Sequence, residues 1–410
     1  MNATTQSCLI IGASHAGSQL ALQLRKEGWQ GSITLVGEER HLPYHRPPLS
    51  KAVLAGDKQL EDVLLRPAAM YANNQIEFRP GERVTAIHRA QHLVELENGE
   101  LLAYDRLALC TGAQLITLPL GEGLDNVFYL RTADDALAIR KRLSAGQKAV
   151  IIGAGYIGLE TAAVLNQHGL EVTVLEREQR VLQRVTGEEI AAWFTALHRS
   201  HGVNIVCQAE VTGISGAGRA ERVLCADGSQ YPADLVIIGV GVRPRTGLAA
   251  ACGLQIDNGI AVDEFAQTSD PDIFAAGDCT SHPSALYGRR IRLESVQNAN
   301  DQARTAAASI CGKSQPYHAQ PWFWSDQYAA KLQSVGLSEG YDAVLLRGEP
   351  GQSDAAGFSV FYGREGRLIA ADCINRAREF MVCKQLLQSG AALSARFADE
   401  SQPLSVQETG

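Results

Sequence analysis

The chain has 410 residues, of which 45% are hydrophobic and 20% are charged, and its formal net charge is −8. This length exceeds the size at which a single hydrophobic core stops growing, so two or three domains are expected. The acidic balance argues against nucleic acid as a general partner, because binding to phosphates requires a basic surface. Neither a membrane span nor a signal peptide is predicted, since no apolar run is long enough and the first residues lack a basic segment.

The nine cysteines are scattered along the chain, and none forms a C-x-x-C pair. This pattern argues against a zinc ribbon and against a thioredoxin-type dithiol, so no metal site is predicted. Scattered cysteines in odd number suit a reducing compartment, and we expect a cytoplasmic protein.

The first motif lies near the N-terminus. Cys8–Ile11 predicts a buried strand, residues 12–17 (GASHAG) form a turn that opens a helix, and Ile33–Val36 predicts a second strand. Strand, glycine turn, helix and strand in this order are typical of a dinucleotide-binding unit. Ser14 replaces the middle glycine of the motif, and a serine still fits beside a phosphate. Glu38, after the second strand, is the carboxylate expected to bind a ribose.

Residues 41–51 (HLPYHRPPLSK) follow this unit. Their three prolines restrict φ and are predicted to exclude a helix before about Leu49. Arg46 and Lys51 are candidates to contact the phosphate or the ring of a cofactor. The alternative is a rigid surface loop with solvated cations.

A second and stronger copy of the motif occupies residues 148–176. An apolar strand leads into the turn GAGYIG and a helix, and the next strand, Glu171–Leu175, ends at Glu176. The glycines have separate tasks, which are a tight turn, close approach of the backbone to a pyrophosphate, and close packing of helix on strand. In chain order they are Gly153, Gly155 and Gly158.

Glu176 follows the first of these glycines by roughly the 20 residues expected for a carboxylate that binds the adenosine ribose. Such a carboxylate repels a 2′-phosphate, so the motif favours NADH over NADPH, although Arg177 is adjacent. Two dinucleotide-binding units in one chain suggest two dinucleotides, as a transfer of hydride from one to the other requires.

Three further stretches bear on function. A helix is predicted over Thr132–Leu143, with Thr132 as its N-cap. Asp278 follows an apolar strand, where an aspartate is placed to bind a cofactor hydroxyl, the alternative being a helix N-cap. From about Pro316 the pattern changes to a cluster of aromatic residues, alternating strands and a helix near Arg378–Gln388, which predicts a third domain.

Taken together, these motifs resemble the FAD-dependent, NADH-using ferredoxin reductases of bacterial haem-thiolate monooxygenases and Rieske-type dioxygenases, the family of putidaredoxin reductase and rhodocoxin reductase. The likeness extends from about residue 7 to about residue 385. The stretches that support it are GASHAG, RPPLSK, ALCTGA, YLRT, GAGYIGLE, AAGDCT, ESVQNANDQAR and WFWSDQY.

The resemblance implies an α/β fold with two Rossmann-like dinucleotide-binding domains, arranged as in glutathione reductase, plus a C-terminal α+β domain that covers the flavin. Residues 1–113 and 239–315 would form the FAD-binding domain, and residues 114–238 the inserted NADH-binding domain. Residues 316–410 would form the C-terminal domain.

The resemblance also implies roles for individual residues. FAD would be bound by Gly12, Ala16, Gly17, Glu38, Val84, Arg131, Asp278 and Val296. NADH would be bound by Gly153, Gly155, Gly158 and Glu176. Lys51 would lie near the flavin N5 and pair with Glu160, which would sit where the nicotinamide reaches the flavin. Trp324 would stand at the edge of the flavin ring.

The expected activity is transfer of electrons from NADH through FAD, one at a time, to a 2Fe–2S ferredoxin that feeds a bacterial oxygenase. No cysteine lies between Cys8 and Cys110, so the dithiol of disulfide reductases is missing and electrons are expected to leave the flavin directly. The alternatives are an NADH oxidase that forms hydrogen peroxide and a redox-sensing flavoprotein similar to apoptosis-inducing factor.

Ferredoxins of this kind are acidic, so a basic docking patch is expected despite the net negative charge. Arg66 and Arg304 are the candidates for this patch. The protein is expected to be a monomer or a weak homodimer.

Overall fold

The computed structural model describes residues 6–351 and 353–406. The chain forms two compact units, each assembled from separate stretches of sequence. The first unit contains the chain up to His45 together with Leu60–Gln114 and Val242–Ala319. The second contains Arg46–Gln59, Leu115–Gly241 and the chain from Gln320 onward.

A five-stranded parallel sheet forms the centre of the first unit. In spatial order its strands are Ile273–Ala275, Arg106–Leu109, Ser7–Ile11, Ser32–Gly37 and Ile76–Pro80. The strand Ser7–Ile11 alternates between two cores, with Cys8 and Ile10 on one face and Leu9 and Ile11 on the other. Because both faces are covered, this strand is almost entirely apolar.

Three helices (His15–Glu27, Ala68–Asn73 and Val296–Ile310) cover one face of this sheet, and small antiparallel strands together with the short helix Gly247–Ala251 cover the other. The helices of the first unit are His15–Glu27, Ala68–Asn73, Gly247–Ala251 and Val296–Ile310, with 3₁₀ turns at Leu60–Val63 and Arg89–Gln91. The antiparallel strands on the second face are Val84–His88, Leu93–Leu96 and Leu101–Ala103. A further small sheet contains Ile260–Ala261, Thr280–Ser284 and Arg289–Ile291. Two short strands at the unit boundaries are Ala113–Leu115 and Val242–Pro244.

The second unit repeats the parallel arrangement. Its sheet has the order Val127–Tyr129, Leu235–Ile238, Lys148–Ile152, Glu171–Leu175 and Asn204–Val206. A three-stranded antiparallel sheet packs on one face through Val223 and Cys225. The strands of that sheet are Val211–Ser215, Arg222–Cys225 and Gln230–Pro232. The helices of this part are Ala52–Ala55, Ala133–Arg140, Tyr156–Gln167 and Glu188–Ser200.

The C-terminal part of the second unit is a five-stranded antiparallel sheet with one helix, Ala377–Gln388. In spatial order its strands are Trp322–Gln327, Ala330–Gly336, Arg367–Ile374, Phe358–Arg364 and Ala343–Arg347. The helix packs on the sheet through Phe380, Cys383 and Leu386. A 3₁₀ turn at Ala395–Ala398 follows.

The predicted fold class is therefore confirmed, since two Rossmann-like units and a C-terminal α+β part are present. The three predicted domain boundaries stay a prediction. One local expectation was wrong, because Pro47–Ser50 forms a 3₁₀ turn ahead of the helix Ala52–Ala55. Proline is tolerated there, since the first residues of a helical turn have no partner for their N–H groups.

The N-cap of the helix Ala133–Arg140 is as predicted. The Asp135 backbone N–H donates to Thr132 Oγ1 at 3.3 Å, and the Thr132 N–H donates to Asp135 Oδ2 at 2.7 Å. This reciprocal pair is a capping box, which satisfies two backbone donors at the start of the helix.

We expect Thr132→Ala to lower the free energy of unfolding by about 1 kcal/mol, because the cap hydrogen bond is lost. Urea unfolding followed by circular dichroism measures this change. Thr246→Ala is the matched control, since Thr246 precedes the helix Gly247–Ala251 without a side-chain cap bond. Equal midpoints for the Thr132 variant and the wild type would show that the capping box contributes nothing.

Candidate functional site

The glycine turn of the first unit is shaped by close backbone contacts. Gly12 has φ +108°, and a Cβ atom there would lie 2.1 Å from the Cys110 carbonyl oxygen. A Cβ atom at Gly17 would lie 1.9 Å from the Gly12 carbonyl oxygen, so the helix His15–Glu27 approaches the backbone of the turn more closely than any side chain allows. These two glycines are required by the packing of the turn itself.

The turn at Gly277 meets the same glycine turn. A Cβ atom at Gly277 would lie 3.2 Å from the Cβ atom of Ala16, so Asp278 follows directly on this contact. Gln302, on the helix Val296–Ile310, holds the turn because its Oε1 accepts from the Gly277 N–H at 2.8 Å and from Thr280 Oγ1 at 2.8 Å. Asp278 thus directly follows a turn that lies against Ala16, and the binding of FAD by these two residues stays a prediction.

Three other residues predicted to bind FAD have different surroundings. Glu38 is half exposed and forms ion pairs with Arg245 and, at 3.8 Å, with Arg83. Val84 is 8% exposed and begins one of the antiparallel strands, from which it packs into the core shared with the parallel sheet. Val296 is the half-buried first residue of its helix. Neither arginine was predicted from the sequence, because nothing local links them to Glu38.

Arg131 and Trp324 belong to the second unit. The backbone carbonyl of Arg131 accepts from Arg46 Nη1 at 2.8 Å, and its N–H donates to Asp135 Oδ2 at 3.0 Å. Trp324 is half-buried, with its ring 5.6 Å from that of Trp322. The contacts with FAD expected for Arg131 and Trp324 stay predictions.

The glycine turn of the second unit has the same construction, with one difference. A Cβ atom at Gly153 would lie 2.5 Å from the Gly239 carbonyl oxygen, and one at Gly158 would lie 2.1 Å from the Gly153 carbonyl oxygen. A Cβ atom at Gly155 would have no neighbour within 4 Å. Gly155 therefore faces open space at a helix N-terminus, and this cradle fits a pyrophosphate.

Glu176 lies beside this turn. Its Oε2 accepts from the Ala154 backbone N–H at 2.6 Å, and its Oε1 accepts from the Glu178 N–H at 3.0 Å. The two amides fix the carboxylate next to the glycine turn. Arg177 is exposed and pairs with Glu178 at 3.1 Å.

Glu160 and Lys51 form an ion pair in the second unit. Glu160 is 3% exposed, and its Oε1 lies 2.8 Å from Lys51 Nζ. Ser50 Oγ donates to Glu160 Oε2 at 2.5 Å, and Ser325 Oγ donates to Oε1 at 2.7 Å. Burial raises the pKa of Glu160 above its ordinary value, and the Lys51 ammonium opposes that rise. The two residues predicted to pair thus lie together, and the two serines were missed.

A buried histidine stands behind Ser325. Gln327 Nε2 donates to Ser325 Oγ at 3.2 Å, and Gln327 Oε1 lies 2.8 Å from His198 Nε2. His198 has no exposed surface, and burial lowers its pKa to about 4. The sequence offered no sign of this histidine, which lies within the helix Glu188–Ser200.

The thiols do not form a reactive group. All nine cysteines are free, and Cys110 and Cys279, which lie beside the first glycine turn, are fully buried. Burial raises the pKa of both thiols, which keeps them protonated. Within residues 6–351 and 353–406, no cluster of histidine, cysteine or acidic residues could hold a metal ion, and no helix is long and apolar enough to cross a membrane.

Two family models match the chain. One, described as pyridine nucleotide-disulphide oxidoreductase, matches residues 6–303, and the other, described as reductase C-terminal, matches residues 322–406. Putidaredoxin reductase of Pseudomonas putida is 46% identical, over 98% of this chain and 97% of the relative. The ferredoxin–NAD⁺ reductase component of the anthranilate 1,2-dioxygenase system of Burkholderia cepacia is 39% identical, over 93% of this chain and 94% of the relative.

Among solved structures, the covalent complex of putidaredoxin reductase with putidaredoxin is similar to this chain. The TM-score is 0.94 at 45% sequence identity, and the match covers 98% of this chain and 97% of the matched chain. The likeness therefore includes both compact units.

The pKa of His198 predicts a pH dependence of stability. The folded state disfavours the charged imidazole. The contribution of neutral His198 to the free energy of unfolding is therefore fully present above the ordinary pKa of 6.5 and is lost as the pH falls toward 4. We expect this loss to reach about 3 kcal/mol at pH 4. His198→Gln does not titrate, so its free energy of unfolding should fall less steeply over this range. Parallel curves from urea unfolding at several pH values would contradict the assignment.

Proposed function

Because the chain belongs to the pyridine nucleotide-disulphide oxidoreductase family, we propose that it passes electrons from NADH through FAD to a 2Fe–2S ferredoxin that feeds a bacterial oxygenase. The resemblance to ferredoxin reductases, inferred from the motifs, is confirmed by relatives that match almost the whole chain. The chain is thus an oxidoreductase of the ferredoxin reductase type. The observation on which this proposal depends is that each unit has its own glycine turn of the dinucleotide-binding type, while the thiols beside the first turn are buried and provide no relay.

The cofactors are FAD and NAD(H), and the residues of the two turns fit them. In the second unit, the open space at Gly155 and the carboxylate of Glu176 match the pyrophosphate and the ribose of NADH. In the first unit, the Gly12 turn, Ala16 and the Gly277 turn form the corresponding surface for FAD. When bound, FAD supplies the conversion between the two-electron chemistry of NADH and the one-electron chemistry of an iron–sulfur cluster.

The preference for NADH follows from Glu176. Its carboxylate is fixed beside the glycine turn by two backbone amides, which supports its proposed role in binding the ribose hydroxyls. A 2′-phosphate there would place like charges together, which opposes NADPH. Arg177, whose side chain is 79% exposed, is already paired with Glu178.

Lys51 and Glu160 are proposed to act at the nicotinamide end. The buried carboxylate holds the Lys51 ammonium at 2.8 Å, so the cation has a defined position. The resemblance implies that Lys51 lies near the flavin N5, where a fixed positive charge stabilises developing negative charge. Glu160 then lies where the nicotinamide arrives.

A stopped-flow experiment tests the proposal. The purified yellow protein is mixed with NADH, then with an acidic 2Fe–2S ferredoxin, and cytochrome c reports electrons leaving the ferredoxin. We expect rapid bleaching of the flavin by NADH and rapid cytochrome c reduction only when ferredoxin is present. Rapid hydrogen peroxide formation without ferredoxin would instead identify an NADH oxidase. Slow turnover with a long-lived complex with NAD would identify a redox sensor.

Gly155→Ala is expected to raise the KM for NADH at least tenfold, because the new methyl group fills the space assigned to the pyrophosphate. It should leave the melting temperature unchanged, since the methyl group meets no neighbour within 4 Å. Steady-state ferricyanide reduction measures the KM.

Gly158→Ala is the matched control for this variant. Its methyl group would meet the Gly153 carbonyl oxygen at 2.1 Å, so this change should lower the melting temperature. An unchanged KM for NADH in the Gly155 variant would show that the second turn is not part of the NADH site.

Arg66 and Arg304 are proposed as the docking site for an acidic ferredoxin. Both side chains are exposed, and Arg304 pairs with Asp301 on its own helix. Arg66→Glu or Arg304→Glu should raise the KM for ferredoxin about tenfold or more, because a favourable charge pair becomes a repulsive one. Ferricyanide reduction should not change.

Lys26→Glu is the control for these charge reversals, since Lys26 is an exposed cation outside the proposed patch. Equal effects of all three variants would mean that only net charge matters. A fall in ferricyanide reduction would show damage to the flavin site instead. The expected cytoplasmic location and monomeric or weakly dimeric state stay predictions.

A further inference from the structure

A chain of hydrogen bonds extends from the ion pair of Glu160 and Lys51 into the interior of the second unit. Ser325 Oγ contacts Glu160 Oε1 at 2.7 Å, Gln327 Nε2 contacts Ser325 Oγ at 3.2 Å, and His198 Nε2 contacts Gln327 Oε1 at 2.8 Å. Glu160, Ser325, Gln327 and His198 are all buried. These hydrogen bonds therefore connect side chains from two helices and one strand in the interior, away from water.

The chain has a single direction. An ionised carboxylate can only accept, so the hydroxyl proton of Ser325 points to Glu160. The oxygen of Ser325 then accepts from the amide of Gln327, whose own oxygen accepts from the imidazole of His198. Every donor in the chain thus points toward Glu160, and this requires the proton of His198 to be on Nε2.

The surroundings of His198 favour the neutral form that this direction needs. Its Nδ1 has no hydrogen-bond partner among the described residues, so a proton there would be buried without an acceptor. Tyr328 packs edge-on against the ring, and His201, on the same helix, opposes a second positive charge. Protonated His198 is disfavoured by both conditions.

We propose that Gln327 and His198 are positioning residues, which act through Ser325 to keep the Glu160 carboxylate ionised and aligned with Lys51. This inference rests on the proposed role of Glu160 at the nicotinamide. Lys51 and Ser325 both contact Glu160 Oε1, Ser50 contacts Oε2, and Tyr156 lies on the same helix as Glu160. With Lys51 as its only ion-pair partner in the described chain, the carboxylate depends on neutral donors for the rest of its stabilisation.

The consequence is a graded shift in the protonation of Glu160. Ser325→Ala removes a donor directly and should raise the protonation midpoint by roughly one pH unit, the value of one hydrogen bond to a charged group. Gln327→Met has similar length and removes the amide that supports Ser325 together with the acceptor of His198, while the Ser325 hydroxyl itself stays in place, so a shift on the order of half a pH unit is expected. His198→Leu should act like Gln327→Met.

The experiment is an infrared pH titration of the holoenzyme without NADH. The band of the protonated Glu160 carboxyl group is assigned by its absence in Glu160→Gln, and its midpoint is measured in each variant. The rate of flavin reduction by NADH is then measured against pH for the same proteins, and the midpoint of its fall at acidic pH is determined. We expect both midpoints to move to higher pH together.

Two further variants separate positioning from packing. His198→Gln keeps a donor near the position of the imidazole Nε2, so its midpoint should return toward the wild-type value. Tyr328→Phe removes a hydroxyl group that bonds to Asn166 at 3.4 Å beside the same histidine but outside the chain, so its midpoint should not move.

The proposal is overturned if Gln327→Met leaves the infrared midpoint unchanged, or if Tyr328→Phe shifts it equally. If Ser325→Ala does not fold, Gln327→Met by itself still tests the proposal. If the Ser325, Gln327 and His198 variants shift the infrared midpoint but Glu160→Gln reduces its flavin at the wild-type rate, the positioning role is supported and Glu160 takes no part in the reaction. If Glu160→Gln reduces its flavin more slowly but the other variants show no infrared shift, Glu160 takes part in the reaction and the positioning role of Gln327 and His198 is wrong.

Discussion

The ion pair between Lys51 and the buried Glu160 sets the conditions for the residues around it. A carboxylate that is 3% exposed is costly unless its charge is compensated and its lone pairs are satisfied. Lys51 supplies the charge, and Ser50 and Ser325 supply the hydrogen bonds. Both the stretch Arg46–Gln59 and the C-terminal sheet therefore belong to the same compact unit as the helix that holds Glu160.

The two glycine turns show a second constraint, which is close approach of backbone to backbone. In each turn a Cβ atom at the first or last glycine would collide with a backbone carbonyl oxygen, so no side chain fits there. Gly155 alone among the second set faces open space, which separates the glycines needed for folding from the one available to a ligand. The same motif thus contains positions fixed by packing and one position that is open to the proposed pyrophosphate.

The sequence predicted some parts of the fold well and others poorly. The βαβ units and the capping box at Thr132 were found because their signals lie within a few turns of chain. Pro47–Ser50 was misjudged, since proline suits the first turn of a helix as well as a loop. The aromatic cluster at Trp322–Gln327 was not recognised as an edge strand, because its three aromatic residues hide the alternation of buried and exposed positions.

The amino-acid sequence alone determined the two dinucleotide-binding units, the acids that follow them and the absence of a reactive dithiol, because these features depend on residue types at short, regular spacing. Only the tertiary structure decided which groups surround Glu160. Ser50 and Ser325 are 110 and 165 residues away from it in the chain, and His198 joins through two further side chains. No periodicity records such contacts, because they form only when distant elements pack into one core.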